Sequence, residues 1–191
     1  MKVMREIKTD HFEVGDRIRA DLPGEMHTAT AIQDEGDGML FVFDQCLEEA
    51  MPMNRNGSTK GGYDASDMRN FLQELSEKFP EELKERMIPF ENGDTVRLLT
   101  LPEVCGKDGH WNRCEGQIPY FKDSRNRIAG RKGDSYEWMW TATVVLDAYF
   151  AFVGGDDGSA LYYHASVSFG VRPVFKLRTP GSRSTRTDAR K

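Results

Sequence analysis

Cys105, His110 and Cys114, with Cys46 farther upstream, are the side chains best suited to a metal, because thiolate and imidazole are zinc's preferred ligands. Their spacing argues against a site. Eight residues separate Cys105 from Cys114, and no paired short spacing occurs. Free thiols are expected instead, and three cysteines suit a reduced setting. Asp156 and Asp157 offer carboxylates to calcium, but not at EF-hand spacing. They lie in Gly154-Gly155-Asp156-Asp157-Gly158, where Gly and Asp accept the positive φ of a hairpin turn. Neither metal nor cofactor is expected.

Nucleophilic catalysis needs a base held beside the nucleophile. The four histidines, His11, His27, His110 and His164, are scattered, and no nucleophile elbow or phosphate-cradling glycine loop appears. No catalytic residue is assigned. Arg172 stands between Val171 and Pro173 in an apolar run. Its planar fork can bind an anion or bridge carbonyls inside the fold, and the packed surroundings favour bridging. Trp140, in an aromatic strand, is read as scaffold for the same reason.

Residues 107–133 are long, charged and glycine-bearing, with few periodic apolar positions. They carry Trp111, Asn112, Arg113, Tyr120, Arg125, Asn126 and Arg127, and aromatics and arginines anchor recognition surfaces. Equally, Trp111 can pack down on a sheet beneath a solvated loop. Both readings stay open.

These residues need elements to position them. Residues 12–18 alternate apolar and polar, Leu22-Pro23-Gly24 turns, and strands follow at 27–33 and 39–43, joined by Asp34-Glu35-Gly36-Asp37-Gly38 as a hairpin. Residues 51–62 read as an exposed polar loop. Ser66 caps the clearest helix, 66–79, with Met68, Phe71, Leu72 and Leu75 on one stripe. Pro80 stops it and opens a second helix over 81–88. Residues 95–100 form a strand and 101–104 a short helical turn. Ile118-Pro119-Tyr120-Phe121 packs inward. Tyr136, Trp138 and Trp140 alternate onto one strand face. Three β-rich runs, 149–153, 160–164 and 169–177, predict a closing antiparallel meander.

Apolar residues at 38% plus 18 glycines give ordinary globular composition, and 191 residues suffice for one core. A single domain over 1–177 with a flexible basic tail over 178–191 is expected. The net charge of −5 creates no general attraction to nucleic acid or anionic membrane, and the tail lacks interleaved aromatics for base stacking. The N-terminus lacks an apolar signal region, and no membrane span is predicted. Location is expected to be cytoplasmic, or with released phage particles.

Several short motifs share an order. Tyr63, Ser66, Arg69 and Leu72 head the main helix; Val96, Leu98, Leu99, Thr100 and Glu103 follow, then Trp140-Thr141-Ala142-Thr143, then Ala151, Val153 and Gly158, and finally Gly170-Val171-Arg172-Pro173. This series, spanning about 12–177, resembles a bacterial and phage family of unknown function with a C-type-lectin-like or formylglycine-generating-enzyme-like fold. The resemblance implies an α+β protein with small, twisted, mostly antiparallel sheets, two flanking helices and long loops. It also implies structural roles for Tyr63 and Arg69, and a binding face at 107–133 before the final strands. Ala142 departs from the family, which usually has Arg there. Lectin-like calcium sites use Glu-Pro-Asn and Trp-Asn-Asp; this chain has Trp111-Asn112-Arg113 and no Glu-Pro-Asn. No cysteine follows Cys114, so the oxidase chemistry of the formylglycine-generating enzymes is not expected.

The expected function is a non-enzymatic binding module for a protein or glycan. The alternatives are an enzyme of unassigned chemistry on the same scaffold, or a phage tail or capsid component.

Overall fold

The computed structural model describes residues 11–179. The chain runs through β1 (Arg17–Arg19), β2 (Thr28–Asp34), β3 (Met39–Phe43) and β4 (Met51–Pro52), then the helices α1 (Asp67–Ser76) and α2 (Glu81–Lys84). Next come β5 (Val96–Arg97) and α3 (Leu101–Cys105), and after two 3₁₀ turns β6 (Met139–Leu146), β7 (Tyr149–Val153), β8 (Ala160–His164), β9 (Ser168–Phe169) and β10 (Val174–Leu177). It is a mixed α+β architecture whose paired strands are antiparallel.

β1-β2-β3-β10-β5 form the larger sheet, β6-β7-β8 a second, and β4-β9 a short third. The larger sheet is covered on both faces, which explains why Met39–Phe43 reads as an unbroken apolar run. Met39, Phe41 and Phe43 join Phe175 and Leu177 on one face, beneath Met68, Leu72 and Leu75 of α1. Leu40, Val42 and Val174 point the other way, into Val104, Ile118, Phe121 and Ala129. Each fully buried Phe or Leu contributes about 1.5–3 kcal/mol.

Ser66 accepts a hydrogen bond from Arg69 N at 3.0 Å and so caps α1. A capping box starts α3: the Thr100 hydroxyl accepts from Glu103 N, and the Glu103 carboxylate accepts from Thr100 N at 2.7 Å.

Four local expectations change. The second helix is one turn long, Glu81–Lys84, because the following segment is drawn onto β10: Ile88 N donates to Lys176 O and Arg178 N to Arg86 O. The segment 51–62 is not all exposed; Met51, Met53, Asn54 and Gly57 are buried, since Asn54 ties it to α1 and to Ala165. Tyr136 and Trp138 precede β6 and are exposed, so only Trp140 of that alternating trio is buried. The final run does not close the meander. β6 takes that place beside β7, while β10 inserts between β3 and β5 of the larger sheet. Lys176, in β10, is buried against Asp37 (2.9 Å) and Glu35 (3.2 Å). The rest of the basic tail, from Pro180, lies outside the described residues.

Candidate recognition site

Loop 106–113 leaves α3 through Gly106, whose φ of 63° gives the left-handed helix end that glycine favours. Asp108 organises it, accepting from His110 N (2.8 Å) and Asn112 N (2.9 Å), and from the Asn112 side chain. These bonds, led by the Asn112 amide, hold the Asp108 carboxyl below its usual range. Gly109 packs against β6 so closely that a Cβ there would sit 2.6 Å from Val144 O. Trp111, at the tip, has φ 64°, a conformation bulky residues rarely adopt. Such strain persists only where the surroundings impose it.

That backbone lays the Trp111 ring on Tyr162 of β8, centroids 5.9 Å apart and 30° between planes. Tyr162 meets Tyr149 edge-on at 5.8 Å, and Tyr149 meets His164 at 5.7 Å. The pairing of β7 with β8 sets Tyr149 opposite His164, and small Ala151 opposite Tyr162. The period of two puts Tyr162 and His164 on the same face. His164 rests on Gly57, where a Cβ would come within 2.5 Å of its ring. The four rings form one array across a loop and two strands. Trp111, Tyr149 and His164 are half-buried, and Tyr162 is 44% exposed.

The remaining expected binding residues separate. Asn112 and Arg113 are exposed at the foot of the same loop. Tyr120 is half-buried and packs edge-on against Phe121. Arg125 is exposed and pairs with neighbouring Asp123. Arg127 donates to Phe121 O (2.7 Å) and Gly158 O (3.4 Å), fastening the 3₁₀ turns to the β7–β8 connection. The loop tip therefore meets β8, whereas 119–127 forms a separate packed corner. Tyr149, Tyr162 and His164 went unselected in the sequence. Their signal was the alternation of 160, 162 and 164, which carries meaning only once Trp111 is known to land there.

The side chains at the helix head and in the closing strand are engaged in internal hydrogen bonds. Arg69 gives Asp94 a bidentate pair (Nε–Oδ2 2.8 Å, Nη2–Oδ1 2.8 Å), and the Tyr63 hydroxyl accepts from Leu98 N. Burial pushes the Tyr63 hydroxyl pKa up. Arg172 donates to Phe43 O at 2.7 Å and Asn126 O at 2.9 Å. Trp140 Nε1 donates to Met51 O at 2.9 Å. Ala142, where the resembled family has Arg, gives its N–H to Leu99 O and packs on the main core.

A family model described as a domain of unknown function (DUF6273) matches residues 37–179. The chain belongs to this family. The match opens in the β2–β3 turn and closes just after β10, so β1 and the whole of β2 precede the DUF6273 region. All four ring residues fall within it. Comparison with curated proteins returned no match, nor did comparison with solved structures.

Among the described residues, no three His, Cys, Asp or Glu side chains are placed to hold a metal, and no helix is long and apolar enough to cross a membrane. Asp157 caps its own turn by accepting from Ser159 N. An open concavity of about 640 Å³ lies between Glu35, Asp37, Phe90 and Arg97. Its cations are already engaged, Lys176 by Glu35 and Asp37, and Arg97 by a bidentate pair with Glu103.

Cys46 is buried, and burial pushes its thiol up to about 12. Thiol reagents at neutral pH are therefore expected to label Cys46 only as the protein unfolds, as followed by peptide mass spectrometry. Native-state labelling of Cys46 at the rate of the denatured chain would show that this pocket is open.

Proposed function

We propose that the chain is a binding module of C-type-lectin-like character, of bacterial or phage origin, that recognises a neutral glycan through the Trp111–Tyr162–Tyr149–His164 array. The observation that carries this reading is the strained Trp111 backbone holding a large ring on an exposed tyrosine. Aromatic rings give large contact area at little entropic cost, and Tyr adds a polar handle. The C–H face of a sugar ring packs on such surfaces, while its hydroxyls find partners in Asn112, Arg113, Ser166 and His164. The strand side of the array favours a neutral ligand: residues 158–171 contain no Asp, Glu, Lys or Arg.

An enzyme on the same scaffold is the second reading. It rests on the 2.8 Å contact between His164 Nδ1 and Ser166 Oγ. A nucleophile–base pair needs a group that orients the base. Among the described residues no carboxylate pairs with His164, and Ser166 N also approaches Nδ1 at 3.4 Å, as in a local turn. Binding without turnover is the better account.

The test is a printed array of neutral and acidic bacterial glycans, followed by titration of the strongest hit. Trp111→Ala is expected to weaken that hit by at least ~tenfold, equal to about 1.4 kcal/mol, with a nearly unchanged melting temperature. Undiminished affinity in the variant overturns the assignment. Unfolding of the variant would make Trp111 a core residue.

A further inference from the structure

We propose that the outer edge of β8 pairs with the same edge of a second copy of this chain, joining two three-stranded sheets into one. A free strand edge presents unpaired N–H and C=O groups, and proteins usually block it with charge, proline, brevity or a cover. Every other sheet edge among the described residues is blocked. β1 carries exposed Arg17 and Arg19, ion-paired to Asp44 and Asp21. β5 is two residues long and is capped by side chains: Gln73 donates to Val96 O, and Tyr63 OH accepts from Leu98 N. β4 and β9 have two residues each, with Pro52 in β4. The outer side of β6 is covered, since Trp140 N donates to Gly170 O and Ala142 N to Leu99 O.

β8 has none of these devices. It is five residues long, contains no charge or proline, and lies at the end of its sheet. Leu161, Tyr162 and Tyr163 are 44%, 44% and 49% exposed. Among the described residues, the outward-facing backbone groups of Ala160 and Tyr162 have no backbone partner, while His164 O accepts from Val167 N in the turn that follows.

Self-complementarity argues for a second copy. Antiparallel pairing about a two-fold axis through Tyr162 sets Tyr162 opposite the partner's Tyr162 and Leu161 opposite the partner's Tyr163. Aromatic pairs of this kind stabilise neighbouring strands, and no like charges meet. The arrangement is isologous and closed: it uses the free edge of each protomer and leaves none to propagate. The axis stands perpendicular to the sheet, so both ring arrays face the same way; on the glycan reading above, the dimer presents two sites on one face.

Sedimentation velocity over a micromolar concentration series tests this without any glycan. The expected result is a monomer–dimer equilibrium whose dissociation constant rises at least ~tenfold in Leu161→Lys, since lysine on an edge opposes pairing. Val14→Lys, an exposed position away from β8, should dimerise like the parent. In the unmodified protein, amide exchange over 160–164 should slow as concentration rises; this measurement decides the matter if Leu161→Lys does not fold. A parent that stays monomeric, a dimer indifferent to Leu161→Lys, or exchange independent of concentration overturns the proposal. So does a monomer that takes up an extended peptide along β8.

Discussion

Trp140→Ala is expected to destabilise the protein by about 3–5 kcal/mol, the usual cost of removing a buried Trp, and to lower its melting temperature by roughly 10 °C. Trp140 is 3% exposed and packs on Phe169 at 4.7 Å and edge-on to Phe152 at 6.2 Å. Phe169 belongs to the short β4–β9 sheet and Phe152 to β7, so one ring joins two sheets. The indole N–H also satisfies Met51 O, and truncation leaves that carbonyl without its donor. Cavity and lost hydrogen bond therefore act together. A thermal melt of the variant that superimposes on the parent's would refute the scaffold role.

The second large effect is expected at Arg172. Its fork joins Phe43 O of β3 to Asn126 O of the 3₁₀ turn Ser124–Arg127, and its guanidinium approaches the Phe121 ring at 5.9 Å. These segments are far apart in sequence, so the side chain closes long loops of the fold. Among the described residues it has no carboxylate partner, and its charge is balanced by carbonyl dipoles. Arg172→Lys keeps the charge, but a single ammonium on a flexible stem cannot serve two divergent carbonyls. A loss of about 2–4 kcal/mol is expected, because one buried carbonyl and part of a buried charge go unsatisfied. The midpoint of urea denaturation, at unchanged slope, is the measurement. A midpoint equal to the parent's would mean that the two carbonyls do not depend on the fork. By contrast, an arginine serving only as a ligand anchor would leave stability intact and affect binding alone.

Local periodicity and turn chemistry were enough to place many of the elements. The apolar run 39–43 was legible as a strand of a hairpin packed on the core, and Ser66 ahead of Met68, Leu72 and Leu75 as the start of an amphipathic helix. The Asp34–Gly38 turn and the Gly/Asp cluster after Val153 marked hairpins because those residues accept the required φ. Burial of Arg172 and Trp140 followed from their apolar neighbours. The tertiary structure decided what depends on contacts distant in sequence. β10 leaves the expected meander because its alternating faces, Phe175 and Leu177 against Val174, complete two cores already begun by β3. The segment after α2 abandons its helix because β10 offers backbone partners, which outweigh the weak preference of one more turn. The proposed recognition array has the same character. Trp111 was visible as a candidate, but Tyr149, Tyr162 and His164 were ordinary strand residues until the loop's left-handed backbone carried Trp111 onto them. Spacing along the chain records which face a residue occupies; only the packing of loop on sheet determines which rings share it.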